Sequence, residues 1–179
     1  MRLFIAIPLP ESAKQRLADM QQPIKGVRWQ KDGNFHLTLK FLGETGSDKA
    51  QALQEKLEKL DFEPFTMVLN GLGYFPRGRK PKVLWVGVKD DKYLKDLQAD
   101  IEKVCLENGF ESENRPFFPH ITLARLEGVR KRDIMSFINQ HKKFQITKMS
   151  VNEFVLYESQ LHPNGAIHTR LRTFPLKGS

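Results

Sequence analysis

Apolar residues along the chain switch between two periods. Leu3 to Leu9 is a β-type run, and residues 11–23 follow, with Ala13, Leu17, Met20 and, just beyond, Ile24 at helical spacing. The segments "VRWQ" and "FHLTLKFLG" predict a strand pair turning at "KDGN". Ser47 or Asp48 is placed to cap a second helix, whose stripe is Ala50, Leu53, Leu57 and Leu60. "FTMVLNGLGYF" reads as the next strand, and the basic loop "PRGRKPK" follows near mid-chain. The programme then repeats. "KVLWVGV" is a strand, and Leu94, Leu97, Ile101 and Val104 line a helix ending near Gly109. "FESENRPFFPHITLARLEG" carries the next strands, and Ile134, Phe137 and Ile138 line another helix. "FQITKMSVNEFVLYES" reads as one strand, and in "LHPNGAIHTRLRTFPL" the "PNG" marks a hairpin turn.

The repeat has a measurable offset. Setting "LFIAIPL" at Leu3 on "LWVGVKD" at Leu84 gives 81 residues, and setting His36 on His120 gives 84. A loop difference of three residues reconciles the two. The expected fold is α+β, with two pseudo-symmetric lobes facing a central cleft, each an antiparallel sheet backed by two helices. Residues 1–179 then form one bilobal domain: lobe one at 1–76, lobe two at 83–160 and a C-terminal hairpin strand at 161–179.

The two "HLTL"-type segments carry the chemistry. "HLTL" at 36–39 and "HITL" at 120–123 occupy corresponding places, and both read His, apolar, Thr, apolar. On a strand, each histidine shares a face with its threonine while the apolar pair points into a core. Such a pattern follows a given histidine by chance roughly once in a hundred. Two occurrences in register with an independent repeat are therefore a specific signal. A pseudo-dyad would set His36 and His120 across one cleft. One neutral and one protonated imidazole there can serve as base and acid on a phosphodiester, and Thr38 and Thr122 can donate hydrogen bonds to phosphoryl oxygens. No carboxylate, cysteine or further histidine stands at ligand spacing around either motif, so the expectation is a site with no metal and no cofactor.

Composition agrees with that chemistry. The formal charge of +8 favours polyanionic partners, and 40% apolar residues suffice for a core. Cys105 is the only cysteine, which excludes an internal disulfide and reads as a small core hydrophobe. The opening apolar run is broken by Pro8 and Pro10 with no small-residue cleavage site after it, so it reads as a strand rather than a leader. No stretch approaches membrane-spanning length. The expectation is a cytoplasmic monomer with no membrane partner.

Paired H-x-T-x motifs in a chain of this length resemble the two-histidine phosphoesterase superfamily, within it the RNA 2′,3′-cyclic phosphodiesterase branch, historically called 2′-5′ RNA ligase. "RLFIAIPLP", "FHLTLKFLG", "GLGYFP", "LWVGV", "FFPHITLAR", "LYES" and the closing "FPL" carry the resemblance over nearly the whole chain. It implies hydrolysis of RNA 2′,3′-cyclic phosphate ends to 2′-phosphate ends. It also implies His36 as proton donor to the leaving 3′ oxygen and His120 as proton acceptor from water, roles that the pseudo-symmetry of the sequence leaves open. Ligation of an RNA 5′-hydroxyl end through a 2′-5′ linkage, which some members show, uses the same groups. Two other readings stand beside it: a non-enzymatic single-stranded RNA-binding module, and a phosphodiesterase acting on small cyclic nucleotides.

The resemblance also implies that Arg125 contacts phosphate. It lies five positions beyond His120, on the opposite face of an uninterrupted strand, so it needs a strand end or a bulge to reach the cleft. Lys40 falls on the histidine face, where it either contacts an RNA backbone or is solvated, and Phe41 falls on the core face. Phe117 and Phe118 are expected to pack, although one of them could offer a base a stacking surface. Arg77, Arg79, Lys80 and Lys82 in "PRGRKPK" read equally as phosphate contacts and as a solvated linker between lobes. "VRKR" at 129–132 is similar but precedes a helix. His141, His162 and His168 lack the motif context, and His168 alternates with Arg170 and Arg172 on one strand face.

Overall fold

The computed structural model describes residues 1–178, apart from the side chain of Asp32. The strands are β1 (Arg2–Pro8), β2 (Val27–Trp29), β3 (His36–Glu44), β4 (Phe65–Arg77), β5 (Lys80–Lys89), β6 (His120–Leu126), β7 (Gln145–Val151), β8 (Glu153–Gln160) and β9 (Ile167–Pro175). The helices are α1 (Glu11–Asp19), α2 (Ser47–Leu57), α3 (Lys92–Glu107) and α4 (Lys131–Gln140). The stripes foreseen from spacing are mostly buried: Ala13 and Leu17 on α1, Ala50, Leu53 and Leu57 on α2, Leu94, Leu97 and Ile101 on α3, and Ile134 and Phe137 on α4, while Ile24, Leu60, Val104 and Ile138 are half-buried against the same core. Neither Ser47 nor Asp48 caps α2. Gly46 occupies that position and Asp48 lies in the first turn, where its charge complements the helix dipole.

All strands belong to one antiparallel sheet in the order β7-β4-β5-β6-β3-β1-β8-β9, with β2 pairing β6. The pseudo-dyad falls between β6 and β3, whose ladder is the single pair Leu37↔Ile121. About that axis β5 corresponds to β1, and β4 to β8. Ile7 pairs with Leu37 as Val86 pairs with Ile121, so the structural offset is 86 − 7 = 79 rather than 81. A two-residue difference keeps every side chain on its expected face.

The halves of the sequence do not map one-for-one onto the halves of the sheet. β4 leaves the first repeat to pair with β5, and β8 leaves the second to pair with β1. Boundaries at 1–76 and 83–160 thus mark the sequence repeat rather than two separate packing units. Four further details follow from this exchange. β2 pairs with β6 rather than β3. "FQITKMSVNEFVLYES" is two strands, which part at Asn152 for opposite ends of the sheet. "PRGRKPK" is the tip of the β4–β5 hairpin, not a linker: Arg77 pairs with Lys80 around Gly78, whose φ of +64° suits the first central position of a two-residue turn. The "PNG" segment does join a hairpin, β8–β9.

One continuous apolar core lies under the helix-covered face. It takes Leu3, Ile5 and Ile7 from β1, Leu37 and Leu39 from β3, Leu84 and Val86 from β5, and Ile121 and Leu123 from β6. Cys105 is part of it, and burial pushes its thiol up to about 12. Among the described residues, no helix is long and apolar enough to cross a membrane.

Candidate active site

The open face of the sheet carries both motifs. His36 and Thr38 project from β3, and His120 and Thr122 from β6, while Leu37, Leu39, Ile121 and Leu123 are buried. The register Leu37↔Ile121 crosses the motifs. Extended by one residue each way, it sets His36 toward Thr122 and His120 toward Thr38. The two histidines are then diagonal neighbours across the strands, roughly 7–8 Å apart at the backbone. The charge of His120 acts on His36 across this separation.

Each motif strand carries a bulge one residue past its threonine. On β3, Ala6 pairs with Thr38 but Ile5 with Lys40, which leaves Leu39 extra. On β6, Trp85 pairs with Thr122 but Leu84 with Ala124, which leaves Leu123 extra. A bulge puts two successive side chains on one side and reverses the alternation beyond it. Arg125 is thereby returned to the histidine face, where it is exposed. The same geometry overturns the assignments at the matching positions on β3. Phe41, placed in the core by simple alternation, is 66% exposed on the open face. Lys40 is 2% exposed and turned inward. Its Nζ lies 3.0 Å from both carboxylate oxygens of Glu102. It donates a hydrogen bond to Oε1 and to the Glu111 carbonyl, and Oε2 is held by charge alone.

His120 Nδ1 donates to the Phe118 carbonyl at 2.8 Å. This fixes the ring and leaves Nε2 for a ligand. The Phe75 ring stands edge-on to His120 with centroids 4.9 Å apart, and Trp85 and Phe118 complete the wall. The Trp85 indole lies against Gly73. A Cβ there would come within 2.4 Å of the ring, so "GLGYF" needs glycine at that position. Phe117 packs on the core while Phe118 is 52% exposed, so the pair divides rather than packing together. A cavity of about 250 Å³ opens between Trp85, Phe118, Asn70 and Gly71.

His168, which lacks the motif context, stands beside His36. Their ring centroids are 5.1 Å apart and nearly perpendicular, and Phe4 touches both rings. Its strand β9 reaches the site only because β8 crosses to β1, so no local signal marks it. A bulge at Leu171 keeps Arg170 on the His168 face but turns Arg172 to the other side, where it pairs with Glu58. His141 packs against Phe137 of α4 with the rings tilted and takes no part, and His162 lies in the β8–β9 connection.

Burial holds all three site histidines below the ordinary imidazole range. His36 falls to about 4, through burial first and then the charge of His168; the Asn34 carbonyl opposes this, and His120 adds to it. His120 is lowered by burial, and the Phe118 carbonyl partly offsets the effect. His168 is lowered by burial. Among the described residues, no group of three or more His, Cys, Asp or Glu is placed to hold a metal ion.

Comparisons with known proteins bear on the family and the fold. The profile of the family described as LigT like Phosphoesterase matches twice, over residues 7–85 and 86–168, one match for each repeat. The chain is 31% identical to an RNA 2′,3′-cyclic phosphodiesterase of Methanothermobacter thermautotrophicus, covering 98% of this chain and 99% of the relative. Among solved structures, TT0787 of Thermus thermophilus aligns at TM-score 0.80 and 30% identity over 99% of both chains. LigT of E. coli, complexed with 3′-AMP, aligns at TM-score 0.79 and 28% identity over 99% of this chain and 98% of that one. With two family matches in tandem and paired H-x-T-x strands meeting at their dyad, the chain belongs to the LigT-like phosphoesterases, the two-histidine phosphoesterase family.

Proposed function

We propose that the chain hydrolyses 2′,3′-cyclic phosphate ends of RNA to 2′-phosphate ends. The observation that carries this reading is the Leu37↔Ile121 register, which sets two H-x-T pairs side by side on the open face of the sheet. The name of the 31% identical relative supports the substrate. Thr38 and Thr122 donate hydrogen bonds to the non-bridging oxygens, and Arg125 supplies charge beside them. His120 Nε2 takes a proton from water as the water oxygen bonds to phosphorus. The bond from phosphorus to the 3′ oxygen breaks, and His36 delivers a proton to that oxygen. An RNA 5′-hydroxyl in place of water would give a 2′-5′ linkage from the same groups.

A burial-lowered imidazole is a strong acid once protonated, but it is neutral in the free enzyme at pH 7. The bound phosphate anion favours the charged form and so recruits the proton. Arg125 opposes that recruitment and stabilises the charge developing on the phosphoryl oxygens instead. No step here draws on a metal.

An RNA oligonucleotide with a 2′,3′-cyclic phosphate end, incubated with chelator, should yield a 2′-phosphate end. His36→Ala and His120→Ala should each lower the rate by roughly 10²–10⁴-fold with the thermal midpoint retained. Wild-type rates in both variants would sink the mechanism, and loss of turnover on chelation would restore a metal to it. A 3′-phosphate product would mean that the 2′ oxygen, not the 3′ oxygen, lies in line with the attacking water and departs.

A further inference from the structure

The open face holds a charge arrangement that the two-histidine site does not require. Arg28 on β2 and Arg125 on β6 are direct cross-strand partners, and both are exposed. Val83 of β5 pairs with Arg125 on its other side, and Phe75 of β4 pairs with Val83. One row across four strands thus reads Arg28, Arg125, Val83, Phe75. Two residues beyond Phe75, on the same face, Arg77 pairs with Lys80 at the hairpin tip, with Arg79 in the turn. Like charges set directly opposite each other on neighbouring strands are destabilising. Two such pairs occur in succession here, and among the described residues none of these cations is in an ion pair.

The pseudo-dyad supplies an internal comparison. On the His36 side the positions equivalent to Arg125, Val83 and Phe75 are Phe41, Phe4 and Tyr157. That row is aromatic, and the nearby Arg170 is paired with Glu153. The row on the His36 side therefore lacks the facing cations of the row on the His120 side.

We infer that this strip, from Arg28 past the site to Arg77 and Lys80, holds the phosphate backbone of the RNA strand leading to the reacting end. The inference rests on the proposed activity. It makes oligonucleotides, rather than cyclic mononucleotides, the preferred substrates. It also sends the strand from the reacting ribose, whose 3′ oxygen faces His36, across the site and over the β4–β5 hairpin. Unpaired cations on a strand face bind backbone phosphates with release of counterions, so the contribution is salt-dependent.

The test compares kcat/KM for a short RNA ending in a 2′,3′-cyclic phosphate with that for a nucleoside 2′,3′-cyclic phosphate. In the triple variant Arg28→Ala, Arg77→Ala, Lys80→Ala the ratio of oligonucleotide to mononucleotide should fall roughly ten-fold. The log–log salt slope for the oligonucleotide should become shallower by about 2, at about 0.7 per lost contact. A control, Lys131→Ala with Arg132→Ala on α4, removes charge from the opposite face of the sheet. An unchanged ratio in the triple variant overturns the inference, as does an equal fall in the control, and either leaves the hydrolytic activity standing. If the wild type hydrolyses neither substrate, the proposed activity fails and this inference with it.

Discussion

His36 and His120 have the same local sequence but different neighbours. His36 packs against Phe4 and His168, while His120 packs against Phe75 and donates to the Phe118 carbonyl. Both are lowered by burial, so the singly protonated pair in the free enzyme is most populated below the ordinary imidazole value of about 6.5. The kcat/KM profile should accordingly be a bell with its maximum on the acid side of pH 6.5. The kcat bell should lie at higher pH, because the bound phosphate anion raises both groups. A kcat/KM maximum above pH 7 would refute the burial account. His168 adds positive charge beside His36 wherever it is itself protonated. His168→Phe should therefore move the acid limb of kcat/KM upward, whereas a purely structural role for His168 would leave that limb in place. His36 and His120 were legible in the sequence because each carries its threonine two residues on. His168 was not, because nothing within β9 distinguishes it from a solvated strand histidine.

At the scale of the element, the paired bulges decide what β3 and β6 present. Simple alternation makes Phe41 a core residue and Lys40 a solvated one, and the structure reverses both. The two readings rank stability effects oppositely. Breaking a buried ion pair from one side costs about 3–5 kcal/mol, so Lys40→Ala should lose about 3 kcal/mol, given that Glu102 remains partly solvated. Phe41→Ala, at an exposed position, should stay within about 0.5 kcal/mol of wild type. Urea midpoints measure both changes, and the opposite order would restore the regular strand. Replacing Lys40 and Glu102 together by Met and Leu should recover most of the Lys40→Ala loss, since the isolated carboxylate is then gone. The need for a bulge at Arg125 was visible beforehand, because an arginine five residues past the histidine cannot otherwise share its face. The equivalent bulge at Lys40 carried no such flag. An inward lysine is intelligible only once Glu102 on α3 and the Glu111 carbonyl are known to lie beneath it.

In the whole molecule, strand exchange and a single core couple the two repeats. β4 without β5 and β7, or β8 without β1, would be an unpaired edge. Equilibrium unfolding followed by far-UV circular dichroism and by tryptophan fluorescence should therefore give coincident curves with one midpoint. Two separated transitions would mean that the repeats fold independently. The sequence by itself determined the α+β class, the tandem repeat, the helical stripes and the two H-x-T pairs. Each of these is written in periodicities of a few residues and in a motif that occurs twice. Only the tertiary structure decided which strands pair across the repeats, how the motifs cross at Leu37 and Ile121, and that His168 and Phe41 border the site. It also decided that the basic segment near mid-chain is a hairpin tip beside Arg125. Those are pairings between residues distant in the chain. Their energy lies in sheet hydrogen bonds and a shared core that form only when both halves are present, so no local pattern encodes them.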